Sequence, residues 1–418
     1  LKNTNHLFKR TYVISSLLLI AALILAACQT VSAAPIVQAT MSATTSPSAI
    51  PTAAVQPTAT VLASATITSV PTVMATQAEV QYGPTNFPKN VDPLTGLTVA
   101  DPAILNRRPV MVKVSNFPRE GRPHAGLSKA DIVFDYSTGG GWNRYLALYY
   151  GQDSEQVGPI RSGRYVDQWL ASMYQGVLGM MFAYEPEYNE IIGRIGEPRV
   201  INGTVSTCPA ICDKKIGISE INWFANTAEL TKYYAKSAGA TNSKPNLDGM
   251  VFNTTPPLGG KAATELTVHF GGNNEGLWKY DSTQKRYLRW IDNQVNATTY
   301  STIPQVDRNT NEQLAFSNVI LVFASYTTLN KKDSMHKVAL VGEKGKALIF
   351  RDGQVYEGIW KGVSGYSPLQ FFDANNSPLE LQPGNTWISI MGDLSNITQD
   401  QPGIYKVVFQ KAAYQPAK

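Results

Sequence analysis

From Thr11 to Ala78 the chain carries no Asp, Glu, Lys or Arg, and this uncharged stretch decides where a fold can lie. Residues 29 to about 85 are almost entirely Ala, Thr, Ser, Pro, Val and Gln, with no aromatic residue between Tyr12 and Tyr82. Such a composition cannot bury enough apolar surface to offset the entropy of ordering it. We read 28–85 as a Ser/Thr/Ala/Pro-rich disordered tether, whose r.m.s. span as a flexible coil is roughly 40 Å. Its Ser, Thr and Pro content also permits O-glycosylation. Folded structure is expected only beyond it.

Ahead of the tether, Lys2, Lys9 and Arg10 precede an apolar run, residues 12–27, that ends in LAAC at residues 25–28. A basic start, a short apolar stretch and a small-residue cleavage site describe a secretory signal peptide, residues 1–27, and not a spanning helix. LAAC resembles a bacterial lipobox, in which cleavage leaves Cys28 as an acylated N-terminus. The expected location is extracytoplasmic, with the membrane reached through a lipid on Cys28.

The chain has 36 Lys+Arg against 31 Asp+Glu, and three of the positive residues leave with the signal peptide. Near-neutrality without a Lys/Arg block argues against a nucleic-acid partner. Beyond Cys28 only Cys208 and Cys212 remain, in TCPAICDKK. Outside the membrane, two thiols this close favour a disulfide-closed loop. No metal and no cofactor is expected, since His124, His269 and His336 are scattered and no further Cys or His stands at ligand spacing.

Past Pro88 the pattern becomes that of ordered chain. Residues 109–116, PVMVKVSN, alternate as a half-buried strand does. DIVFDY at 131–136 and RYLALYY at 144–150 flank STGGGWN, which predicts a hairpin with a wide glycine-rich turn. After Gly158-Pro159, Tyr165, Trp169 and Met173 fall on one helical stripe, and 179–184 reads as another strand. Asn226 and Glu229 form a capping-box pair for a helix carrying Leu230, Tyr233 and Tyr234, stopped at Gly239. After Pro256-Pro257 short β-runs dominate: 266–270, 318–325, 338–341, 346–350, 354–360, 386–391 and 404–409. The expected fold is a layered α/β (α+β) sandwich, with a mixed half at 86–255 and a mostly β half at 256–418 that pack closely.

Three polar groupings stand out, at 116–144, 157–164 and 278–289. The first two resemble the YerB-like bacterial lipoproteins, whose N- and C-terminal segments are domains of unknown function. The matching residues are RPVMVKVSN at 108–116, Arg122-Pro123, Gly126 to Ser128, Ala130-Asp131, Asp135, Gly140-Gly141 with Arg144, and VGPIRSGR at 157–164. Further on the likeness thins to Tyr280, Asp281, Tyr287 and Arg289, then NVILVF and NTWISI. The chain departs from the family at Ser137-Thr138, where a second acidic residue is common, and at 221–224, where Pro-His-Asn often stands. The resemblance implies a layered α/β fold on a surface lipoprotein, and no reaction.

Arg161 and Arg164 lie one helical turn apart at a predicted helix start, a place already favourable to anions. Arg144, after the glycine turn, is placed to join them, and guanidinium forks suit carboxylate or phosphate. The leading reading is a non-catalytic module binding an anionic envelope ligand or envelope protein through Arg144, Arg161, Arg164, Asp135, Asn116 and His124. The structural alternative has the three arginines tied to Asp135 and Asp131 across the hairpin, in a purely structural or protein-docking lipoprotein. A cell-wall hydrolase or transferase is the enzymatic alternative; it would use His124 as base near Asp135, Glu185 or Glu187, but Ser162 lacks a GxSxG or SxxK setting. No catalytic residue is assigned. The seven tryptophans (142, 169, 223, 278, 290, 360 and 387) are either core residues or platforms for sugar rings.

Overall fold

The structure is a computed structural model that describes residues 80–204 and 207–416. Cys28, the signal peptide and residues 28–79 of the expected tether lie outside the described residues. Regular pairing starts earlier than the sequence suggested: Gln81–Tyr82 pairs antiparallel with Phe252–Asn253, so the last residues assigned to the tether belong to the folded body.

The mixed half supplies β1 (Val110–Ser115), β2 (Ile132–Gly139), β3 (Trp142–Tyr149), α1 (Tyr165–Met173), β4 (Val177–Met180), α2 (Glu185–Ile195), β5 (Val200–Asn202) and α3 (Thr227–Ala235). The later half adds β6 (Lys261–Gly271), β7 (Asn274–Asp281), β8 (Arg286–Gln294), β9 (Tyr300–Pro304), β10 (Asn318–Ala324), β11 (Lys344–Arg351), β12 (Gln354–Lys361), β13 (Thr386–Gly392), β14 (Asn396–Gln401) and β15 (Gly403–Val408). No helix among the described residues is long and apolar enough to cross a membrane.

A central sheet runs β12-β11-β10-β13-β2-β3-β1-β4-β5. Its strands β10, β13, β2, β1, β4 and β5 are mutually parallel, and β3 is antiparallel between β2 and β1. Since β13 pairs with β2 in the middle of this sheet, the Pro256-Pro257 junction marks no break in it. A second sheet, β14-β15-β6-β7-β8-β9, is antiparallel except where β6 meets β15.

The layers explain the burial. One face of the central sheet, with Met111, Phe134 and Leu146, packs on Val166, Leu170 and Ile191 of α1 and α2. The other face, with Val112, Val133 and Tyr145, packs on Leu266, Trp278 and Tyr287 of the second sheet. Every residue of β1 is therefore buried, although its alternation predicted one wet face. Asn226 caps α3, accepting from the Glu229 N–H at 3.0 Å, but its own N–H donates to Ala210 O at 2.9 Å, so the reciprocal half of the expected capping box is not made. The strand expected at 179–184 is instead β4 followed by α2, which opens with Glu185 and Glu187 in its first turn. Cys208 and Cys212 are disulfide-bonded, with Cα atoms 4.8 Å apart.

Between the two sheets lies a buried ion pair. Asp135 on β2 and Arg289 on β8 approach to 3.9 Å, and the guanidinium lies 4.2 Å from the Trp387 ring and 4.7 Å from that of Trp278. Removing one partner of a buried pair leaves the other charge uncompensated, typically at a cost of about 3–5 kcal/mol. Arg289→Met should therefore lose about that much in urea unfolding. The loss should be greater at pH 8 than at pH 5, where the orphaned Asp135 takes up a proton, and Asp135→Asn in the same chain should restore part of it.

Candidate functional site

Strand parity sorts the sequence-predicted residues into two groups. Successive side chains of a strand point to opposite faces. The register pairs Tyr136 with Arg144 and Asp135 with Tyr145, so Arg144 and Asp135 are on opposite faces of the sheet. Arg144 shares the helix side with Trp142, Lys113 and Tyr136. Asp135 faces the second sheet.

On the helix side Arg144, Arg161 and Arg164 line one cleft of about 590 Å³, together with Trp142, Phe117 and Asp333. The cleft sits at the carboxyl edge of the parallel strands β1, β2 and β4, where open α/β sheets place their ligands. The chain before α1 is built into that edge: the Ser115 N–H donates to Pro159 O at 2.8 Å, the Arg161 N–H to Lys113 O at 2.9 Å, and the Met181 N–H to Arg161 O at 3.1 Å. Two glycines permit this closeness. A Cβ on Gly163 would come within 2.5 Å of the Met180 sulfur, and one on Gly139, where φ is +94°, within 1.6 Å of Asp333 O.

The three arginines are not equivalent. Arg164 reaches Glu187 at 3.4 Å, and its own N–H is capped by Asp167 at 2.6 Å. Arg144 donates to Ser162 O at 2.7 Å. Among the described residues neither Arg144 nor Arg161 has a carboxylate within ion-pair distance. The Arg161 Nε is buried and without a hydrogen-bond partner. Burial, and then the neighbouring guanidinium groups of Arg164 and Arg161, push Arg144 down to about 9. Burial also lowers Arg161, with Glu220 on the cleft's rim partly opposing it. Beneath them Lys113, Tyr136 and Asp167 are hydrogen-bonded to one another and fully buried. Burial brings Lys113 down to about 7, opposed by Asp167 and assisted by Arg144 and Arg164.

The other three expected residues do not reach this cleft. The Asn143 amide donates to Asp135 at 2.6 Å, and Asn116 donates to the Asn143 carbonyl oxygen at 2.6 Å. Arg122 in turn donates to Asn116 at 2.9 Å and pairs with Asp292 at 3.3 Å. Burial raises Asp135 to about 6, with Arg289 and Asn143 opposing the shift. The His124 ring contacts Ser115 O through Nε2 at 2.9 Å and accepts from Gln305 at Nδ1 at 3.0 Å. Asp135, Asn116 and His124 are thus parts of an internal seam. The proposed tie of the arginines to Asp135 or Asp131 is likewise absent: Asp135 serves Arg289, and Asp131 accepts from the N–H groups of Tyr150 and Gly151.

Family models match both halves of the chain. Residues 94–240 fit "Protein of unknown function (DUF3048) N-terminal domain" and 266–388 its C-terminal domain, together more than half of the sequence. The chain belongs to this family. It is 29% identical over 315 residues to the candidate lipoprotein YerB of Bacillus subtilis (strain 168), covering 72% of this chain and 86% of that one. The crystal structure of YerB protein from Bacillus subtilis superposes with a TM-score of 0.60 at 26% identity, over 73% of this chain and 97% of the other.

Within this YerB-like fold the cleft also holds Trp142, which the sequence reading left open as core or sugar platform without joining it to the arginines, and Phe117, Ile218, Lys332 and Asp333, which it did not assign. Trp142 was within reach of a parity argument, since it stands two residues before Arg144. Phe117 directly follows Asn116 inside the 116–144 grouping, whereas Ile218, Lys332 and Asp333 arrive from loops distant in sequence and leave no local signal. Among the described residues no group of three His, Cys, Asp or Glu is gathered to hold a metal.

The seam makes a pH prediction. His124 is held down to about 3, chiefly by burial and then by Arg122. Between pH 6.5 and 3 the unfolded chain therefore binds a proton that the folded chain does not, so this residue makes stability fall as pH falls, by up to about 1.4 kcal/mol per unit. His124→Gln should unfold more readily than wild type at pH 7 because it loses ring contacts, yet show a flatter decline towards acid. Urea midpoints at pH 7, 5 and 4 check it.

Proposed function

We propose that this chain is a lipid-anchored, extracytoplasmic envelope protein that binds an anionic ligand in its arginine cleft without turning it over. One observation carries the reading: Arg144 and Arg161 face a cleft at the carboxyl edge of the sheet with no carboxylate of their own among the described residues. Mutually repelling cations held in a partly buried site destabilise the empty protein and are relieved by an anion with acceptor oxygens. Binding without turnover is supported by the place of His124, the base a hydrolytic reading would need. It lies in the seam with both ring nitrogens engaged.

Substitutions separate ligand contact from scaffolding. Arg161→Gln should keep stability within about 0.5 kcal/mol of wild type and weaken inorganic pyrophosphate binding tenfold or more, about 1.4 kcal/mol. Arg164→Gln should lose binding and also about 1–3 kcal/mol of stability, because Glu187 is left buried without its cation. Melting curves with and without pyrophosphate read both effects. A wild type whose melting never responds to pyrophosphate overturns the cleft reading.

The anchoring half of the proposal rests on the LAAC site, the uncharged stretch behind it and the related candidate lipoprotein. Acyl groups on Cys28 would hold the protein at the membrane, several chains giving stable attachment where one is marginal. Cys28→Ser, expressed in a bacterium that processes lipoproteins, should move the protein from the membrane to the soluble fraction. Retention of residues 1–27, or no added acyl mass on wild-type Cys28, would refute the anchor.

A further inference from the structure

We infer that the ligand of the arginine cleft is a phosphate-bearing sugar, its phosphate taken by Arg144, Arg161 and Arg164 and its ring laid on the indole of Trp142. This rests on the binding reading above and adds its chemical class.

The number of forks argues for phosphate. Arg164 already serves Glu187, while Arg144 and Arg161 have donors to offer from two sides of the same cleft. A single carboxylate presents two oxygens in one plane, so it meets guanidinium forks from fewer directions even where two arginines share it, as at Asp292. A phosphate monoester presents three oxygens in a pyramid and accepts from several guanidinium groups at once.

The indole argues for a ring. Trp142 is 49% exposed although it lines the cleft two residues from Arg144, on the same face of β3. It is braced: the Phe117 ring meets it edge-on at 4.4 Å, and Phe117 is itself held under the guanidinium groups of Arg119 and Arg122, at 4.8 and 5.1 Å. Gly140 lies against its edge, where a Cβ would stand 3.2 Å from the indole. A large amphipathic ring fixed in place and left open offers contact area at little entropic cost. The rim beside it carries Thr138 and Ser334, hydroxyl groups suited to the hydroxyls of a sugar whose C–H face rests on the indole. The cleft volume falls within the range of small-molecule sites.

The test is calorimetric titration of the detergent-solubilised full-length protein with inorganic phosphate, N-acetylglucosamine 1-phosphate and uridine monophosphate. Wild type should bind the sugar phosphate at least tenfold more tightly than phosphate and more tightly than the nucleotide. Trp142→Ala should reduce that advantage to threefold or less while leaving phosphate affinity unchanged, and Trp142→Phe should retain most of it. Arg161→Gln should weaken both sugar phosphate and phosphate. Equal affinities for phosphate and sugar phosphate, an advantage that survives Trp142→Ala, or a tenfold preference for the nucleotide would overturn the sugar while leaving the anion site standing. No binding of any probe would overturn the arginine-cleft reading and this inference with it.

Discussion

A buried carboxylate and a buried guanidinium, Asp135 and Arg289, face each other inside the apolar layer between the central sheet and the second sheet, and the choice of their neighbours follows from having to accommodate both ions there. Removing two ions from water costs several kcal/mol each, so their attraction alone does not hold them there. The remainder comes from neighbours: the Asn143 amide on Asp135, Gln305 on the Arg289 Nε at 2.6 Å, and the faces of Trp278 and Trp387 under the guanidinium. Burial still dominates at Asp135, whose carboxyl is raised to about 6. Tyr145, packed edge-on against Trp387 at 5.0 Å, completes the shell. The two halves of the chain thus share both a sheet and a polar centre.

The same geometry determines the outer site. Asn143 must turn toward Asp135, so its neighbours on β3, Trp142 and Arg144, turn to the other face by the two-residue period of a strand. Internal seam and external cleft are therefore consequences of one register, Tyr136 opposite Arg144. A one-residue slip of β3 would send Arg144 into the aromatic core, and one of β2 would turn Asp135 out toward the cleft. The aromatic packing around Tyr145 and the glycine contact at Asp333 O oppose such a slip from both ends of the hairpin.

Much of this was legible in the sequence, and the failures have physical causes. The hairpin, α1 with Tyr165 and Met173 inward, and the capped α3 were signalled by local periodicity and capping chemistry, which act within a few residues. Three of the six expected site residues meet at the cleft because helix start, glycine turn and arginine lie close in the chain. Asp135 was misplaced because the hairpin contains an irregularity between Ser137 and Gly139, which hides the register and with it the face. Its real partner, Arg289, is set by packing of distant strands. The tyrosine-arginine pattern that contains it was visible, but nothing local pointed it at β2. The full burial of β1 was hidden for the same reason: alternation reports one core, and β1 has a layer on each side.

How the molecule treats its other arginines gives the cleft its meaning. Arg107 reaches Asp153 at 2.9 Å and Arg351 reaches Asp352 at 2.7 Å, while Arg119 and Arg122 share Asp292. Arg199 and Arg308, which have no such partner, direct their guanidinium N–H groups at backbone carbonyls. The fold can therefore satisfy a guanidinium by either route. At the cleft it gathers three of them over a buried lysine and provides one carbonyl bond each to Arg144 and Arg164 and a carboxylate at 3.4 Å to Arg164 alone. Local choices that cost stability without return inside the fold are characteristic of functional sites. On the proposed reading, the cation excess at the strand ends, offset only in part by Glu187 and by Glu220 on the rim, is a cost that a bound anion would relieve.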